Sequence, residues 1–272
     1  MDATVDYEVE YNNRARVPEH PAHIAGWARD AAAYRERQPP RSISYGPGAR
    51  NTIDLFPGNR DGALVAFIHG GYWQALDGSY FSHLAGGLNA HGIGVAIPSY
   101  DLCPDVGIEQ IILQMRMASR ELARLGRPLV MSGHSAGGHL AACMLATDWP
   151  QFDASLPRDL VSAAYAISGL FDLTPLVETS INKAMHLDHA TARAVSPLFW
   201  NAPVRGSLDA LVGENESAEY FRQSRTIVAR WGVTGFAARF DTVADANHFT
   251  AIAPLANPDT PMVQRLRELA AR

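Results

Sequence analysis

The chain has 272 residues, 47% hydrophobic and 19% charged, with a formal net charge of -5. That apolar content is too high and the charge too balanced for a disordered chain. A mildly acidic surface without clustered positive charge also argues against a nucleic-acid partner.

Lys183 is the single lysine among 23 basic residues. A phosphate loop of the Gly-Lys-Ser/Thr kind is therefore excluded, and a Schiff-base cofactor would have to rely on Lys183 alone, so no cofactor is expected. The only two cysteines, Cys103 and Cys143, cannot build a thiolate zinc cluster or a disulfide framework, which fits a reducing compartment. Residues Met1 to Glu10 are acidic and lack the apolar core of a secretory signal, and no apolar run reaches membrane-spanning length. The expectation is a cytoplasmic protein with no membrane association.

No fixed-period repeat is present, and Pro and Gly are spread along the chain, so residues 1–272 are read as one domain. Ile24, Trp27, Ala28, Ala31 and Tyr34 recur at helical spacing and predict a helix over 19–37, ended by Pro39-Pro40. Residues 1–40 thus form a helical extension, placed over the pocket mouth as a cap.

Ser42 to Tyr45 and Thr52 to Phe56 read as an opening pair of strands. Six further strand candidates follow: Ala63 to Ile68, Gly94 to Ile97, Pro128 to Met131, Ala163 to Ile167, Leu208 to Val212 and Phe236 to Phe240. Most are apolar throughout, as strands covered on both faces are. Helical candidates alternate with them near 79–91, 107–125, 136–147, 174–186, 217–231 and 259–271. This alternation predicts an α/β fold with a mostly parallel central sheet of about eight strands flanked by helices. Chemistry in such sheets gathers at the carboxyl ends of the strands.

After Pro128 to Met131 comes Ser132-Gly133-His134-Ser135-Ala136-Gly137-Gly138, a Gly-x-Ser-x-Gly pentapeptide between a strand and a helix. Small residues two positions either side of Ser135 are needed because strand and helix otherwise collide at a tight turn. Ser135 is the candidate nucleophile. After Ala63 to Ile68 comes His69-Gly70-Gly71-Tyr72-Trp73, where glycines let backbone amides point at a ligand. The amides of Gly71, Tyr72 and Ala136 are the candidate oxyanion hole.

A serine hydroxyl needs an imidazole to take its proton and a carboxylate to orient that imidazole. Chain order in this type of sheet is serine, acid, histidine. Of ten histidines, His248 alone follows the last strand candidate, and it is the candidate base. For the acid, Glu216 in the loop after Leu208 to Val212 is favoured; Glu214 and Asp172 stay open, with Asp241 and Asp245 as nearby surface charges. The pairs His20 and His23, His134 and His139, and His186 and His189 lack further ligands at a recognised spacing, so no metal is expected. Trp73, His134 and Phe249 adjoin the reacting groups and are taken as substrate-pocket residues.

These motifs resemble the α/β-hydrolase superfamily, and within it the kynurenine formamidase (arylformamidase)-like esterase branch. The marks are His69 to Trp73, Gly133 to Leu140, Glu216 to Tyr220 with Arg222-Gln223-Ser224, and Tyr11-Asn12-Asn13-Arg14. By the resemblance the nucleophile falls on Ser135 and the base on His248. The family's acid is usually an aspartate where this chain has Glu216. The resemblance implies a serine hydrolase cleaving a small ester or an N-formyl or aryl amide through an acyl-enzyme. Alternatives are a short-chain or aryl carboxylesterase outside kynurenine metabolism and a ligand-binding protein without catalysis. Partners are then a small-molecule ester or amide, with a homodimer left open.

Overall fold

A computed structural model describes residues 5–59 and 61–271. Met1 to Thr4, part of the segment read for a targeting signal, lie outside the described residues. Eight strands form one sheet: β1 (Arg41–Ser44), β2 (Thr52–Phe56), β3 (Leu64–Ile68), β4 (Val95–Pro98), β5 (Leu129–His134), β6 (Val161–Ile167), β7 (Ser207–Gly213) and β8 (Ala237–Val243). Their order is β1-β2-β4-β3-β5-β6-β7-β8. The β1–β2 and β2–β4 pairings are antiparallel, and those from β4 through β8 are parallel.

β3, β4 and β5 are buried residue by residue, so their uninterrupted apolar runs have apolar cover on both faces. Within β3 the pleat sends Leu64, Ala66 and Ile68 into one core and Val65 and Phe67 into the other. The first core is closed by α2 (Ile108–Ala123), α3 (Ala136–Leu145) and α4 (Ala218–Gly232); the second by α5 (Pro261–Ala270). The long N-terminal helix α1 (His20–Arg37) lies against the segment Gly78–Leu84.

Three expected elements differ. β5 continues through Ser132, Gly133 and His134, which pair in register with Phe67 and Ile68 of β3 and with Ile167 of β6, so the turn tightens onto Ser135 alone. The helix expected over 79–91 is a 3-10 run, Gly78–Leu84, followed by a short α-helix, Ala85–Asn89. The helix expected over 174–186 splits into Thr174–Glu178 and Asn182–Met185, because Thr179 is extended and the Ser180 amide and hydroxyl are held by the Glu8 carboxylate. β8 is an edge strand, and its residues alternate between exposed and half-buried, as pairing on one side only dictates.

Candidate active site

Parallel strands bring their carboxyl ends to one rim, and the loops after β3, β5, β6, β7 and β8 converge there. Ser135 sits between β5 and α3 with φ 57° and ψ -118°, a left-handed conformation that a non-glycine residue holds only under constraint. Two glycines make the turn fit: a Cβ on Gly133 would overlap the Gly137 carbonyl, and one on Gly137 would overlap the Ile68 carbonyl. The turn therefore presses β5, β3 and α3 together at backbone distance. Because α3 begins at Ala136, its unpaired first amides and dipole favour negative charge beside Ser135.

The loop after β3 carries a second run of left-handed residues: Gly71 at φ 110°, Tyr72 at 51° and Trp73 at 58°. Among the described residues, the amides of Gly71, Tyr72 and Ala136 donate to no protein acceptor. His69 anchors the base of this loop. Its ring lies parallel to Tyr100 at 4.2 Å, and Tyr100 Oη donates to the His69 carbonyl at 2.9 Å. Burial pushes the His69 pKa down to about 4, so the stacked ring stays neutral.

His248 Nδ1 lies 2.6 Å from Glu216 Oε2, and both side chains are nearly buried, at 7% and 1% exposure. The other oxygen of Glu216 accepts from the Gly213 amide at 2.8 Å and from the Ser168 hydroxyl. Both oxygens of the carboxylate are thus engaged, Oε1 twice and Oε2 by the imidazole. Neither alternative acid reaches His248: Asp172 Oδ1 accepts from the Thr174 amide and hydroxyl, and Glu214 is bound by Thr242 Oγ1 and the Asp245 amide.

Ser135 and His248 line a single cavity of about 460 Å³, with Gly70, Gly71 and Tyr72 on one wall and Ile24, Trp27 and Phe249 near α1. The Ser135 hydroxyl is buried and makes no hydrogen bond among the described residues. His134, the residue before it, has its ring 4.6 Å from that of His248. Burial first, and then the positive charge His248 can carry, hold the His134 pKa well below the ordinary histidine range.

Of the expected pocket residues, His134 and Phe249 line the cavity and Trp73 does not. Trp73 is fully buried in the main core, edge-on to His139 at 5.1 Å. Its left-handed backbone turns the indole beneath the loop, away from the opening. Phe249 is stacked by His20, His23 and Trp27, which ties the loop of His248 to α1. Among the described residues no group of three His, Cys, Asp or Glu side chains could hold a metal ion, and no helix is long and apolar enough to cross a membrane.

The places of Ser168, Asn13 and Tyr220 around the site were not read from the sequence, although Asn13 and Tyr220 lie in stretches that carry the family resemblance. Ser168 was findable, since it is the first polar residue after the apolar run of β6. The other two act across 207 positions, a separation that no local pattern reports.

No family model matches the chain. It is 30% identical over 244 residues to the kynurenine formamidase of Drosophila melanogaster, covering 84% of this chain and 80% of that protein. It is 27% identical over 242 residues to the kynurenine formamidase of Danio rerio, covering 85% and 81%. A solved structure from Silicibacter sp. TM1040, provisionally described as a thioesterase, superposes with a TM-score of 0.85 at 34% identity, covering 96% of this chain and 98% of that one. EstE5, solved after soaking with p-nitrophenyl butyrate, shares the fold at a TM-score of 0.67 and 22% identity, covering 86% of this chain and 85% of that one. With this identity spread over most of both chains and the mostly parallel eight-stranded sheet, the chain belongs to the α/β-hydrolase superfamily, in its kynurenine formamidase-like branch of esterase-type hydrolases.

Proposed function

We propose that this protein is a serine hydrolase that removes a short acyl group, formyl above all, from an aryl amide or ester through an acyl-enzyme. Ser135 Oγ attacks the acyl carbon while His248 takes its proton, and Glu216 holds the imidazole in the competent tautomer and offsets its charge. The carbonyl oxygen becomes an oxyanion and is met by the amides of Gly71, Tyr72 and Ala136. His248 returns the proton to the leaving nitrogen or oxygen as the bond to the acyl carbon breaks. Water then repeats the sequence, releasing the acid and restoring Ser135.

The observation that carries this reading is the 2.6 Å contact of His248 with Glu216, buried beneath a cavity in which Ser135 is held in a strained turn. Gly71 and Tyr72 line the same cavity and Ala136 directly follows Ser135, and among the described residues their three amides have no protein acceptor, which supports the second half of the chemistry. The aromatic lining from Trp27, Tyr72, Phe81 and Phe249 suits a flat aryl group. An N-formylated aryl amine such as N-formylkynurenine is the leading substrate, and short-chain or aryl esters are the second. The experiment is Ser135→Ala with fluorophosphonate labelling. Hydrolysis of p-nitrophenyl acetate and labelling should both vanish while the melting temperature holds; undiminished turnover overturns the nucleophile. Rates on N-formylkynurenine against a panel of esters then rank the two substrate classes.

A further inference from the structure

The short segment ahead of α1 enters a chain of hydrogen bonds that ends with one acceptor left over. Tyr72 Oη lies 2.6 Å from the Tyr11 carbonyl oxygen. A carbonyl only accepts, so Tyr72 spends its proton there. Tyr220 Oη lies 2.7 Å from Tyr72 Oη and must be the donor of that contact. Its proton spent, Tyr220 can only accept from Asn13, 2.7 Å away, so the Asn13 group facing it is the amide nitrogen. The same nitrogen reaches Tyr72 Oη at 3.2 Å. Counting protons thus fixes the orientation of an amide that atom positions alone leave ambiguous.

What remains is Asn13 Oδ1. Asn13 is 5% exposed and lines the cavity beside Ser135 and His248. Among the described residues its Oδ1 accepts no hydrogen bond, yet it is not one of the polar atoms sealed from solvent. An oriented amide oxygen without a protein partner, at a nearly buried residue that lines the cavity, is an acceptor available to a ligand there. The Tyr220 ring, whose hydroxyl meets the Asn13 nitrogen, packs 4.7 Å from the His248 ring, which brings Asn13 into the neighbourhood of the imidazole.

We propose that Asn13 Oδ1 accepts the N–H of the leaving amine and so sets a preference for secondary amides over esters of the same aryl group. The inference rests on the acyl-transfer reading above. When the tetrahedral intermediate collapses, the nitrogen lone pair must point at His248 to take its proton, and the N–H must therefore point elsewhere. An acceptor for that N–H holds the nitrogen in the productive configuration. The C–N bond then breaks, its electron pair stays on nitrogen, and the amine leaves with the proton from His248. An ester oxygen carries no hydrogen and gains nothing from Asn13.

The test compares formanilide with phenyl formate, corrected for background and followed by release of aniline and phenol. Asn13→Leu should lower the formanilide-to-phenyl-formate ratio of kcat/KM by about 10- to 100-fold, and Tyr220→Phe, which frees the amide to flip, by about 3- to 10-fold. On the wild-type protein, N-methylformanilide, which lacks the N–H, should be at least about 10-fold slower than formanilide. A ratio unchanged while both rates fall marks a purely structural role and overturns the inference. So does equal turnover of the N-methyl compound, or a wild-type protein that cleaves phenyl formate and not formanilide. Turnover of neither substrate, with Ser135 unlabelled by fluorophosphonate, overturns the hydrolase reading and the inference together; ester turnover separates the two failures.

Discussion

Glu216→Gln is the most informative single change, because it keeps shape and removes only charge and acceptor symmetry. In the native arrangement one oxygen accepts from the Gly213 amide at 2.8 Å and from Ser168, and the other meets His248 Nδ1 at 2.6 Å. A glutamine has one oxygen for these two sides. If it stays with Gly213, its NH2 faces Nδ1, and the ring proton moves to Nε2, the nitrogen that has to accept the Ser135 proton. That tautomer is inert, and an amide in the place of a triad acid lowers kcat by about 10⁴-fold. If the amide flips instead, its NH2 is driven against the Gly213 N–H. The buried mismatch costs about 1–3 kcal/mol, and a neutral acceptor gives up roughly half of a charge-assisted bond. Together these amount to about 2–5 kcal/mol, a rate loss of roughly 30- to 5,000-fold. Either way kcat on p-nitrophenyl acetate should fall by at least about 30-fold while the protein stays folded, its melting temperature lowered by no more than about 10 °C. A loss smaller than about tenfold, or Asp172→Asn proving more damaging, would refute the assignment of the acid.

Two further predictions follow from the groups around the site. Burial pushes His69 and His139 down to about 4 from an ordinary 6.5, so the unfolded chain binds protons on both rings at a higher pH than the folded one. Their contribution to stability is complete above about pH 6.5 and is lost as pH falls toward 4, at up to about 1.4 kcal/mol per pH unit for each ring. Melting temperatures recorded across that window should drop steadily, and a flat profile would contradict the buried, neutral state of the two rings. Ser168→Ala removes one of the two donors on the far oxygen of Glu216, and kcat should fall by about 10-fold with KM held. A change confined to KM would place Ser168 in substrate binding instead.

The centre of the sheet was legible because β3, β4 and β5 carry apolar runs buried residue by residue, as strands covered on both faces do. The loops that join strand ends were legible for a related reason: Gly70-Gly71 and Gly133-Gly137 are spaced by steric necessity, and the spacing survives in the linear text. Trp73 was misread because adjacency to Tyr72 says nothing about which way a left-handed backbone turns the next side chain. The helix over 174–186 was misread because apolar spacing cannot register that Ser180 is claimed by Glu8 from the far end of the chain. Tyr11, Asn13 and Tyr220 illustrate the same limit at the cavity, where their partners are fixed only once the segment before α1 and helix α4 are folded together.

The use of glutamate at position 216 follows from how its loop is folded. The Glu216 amide donates to the Gly213 carbonyl at 3.0 Å and the Asn215 amide to Ala246 at 2.9 Å, so the turn after β7 is tied both to its own strand end and to the loop that brings His248. From this position the carboxylate has to span from the Gly213 amide to His248 Nδ1, with Ser168 on the near side. An aspartate is shorter by one methylene, about 1.5 Å, and could keep the strand-end amide or the imidazole, but not both at hydrogen-bond distance. The longer side chain and the Ser168 hydroxyl therefore belong together: length delivers the carboxylate, and the second donor on its far oxygen removes the freedom that length introduces.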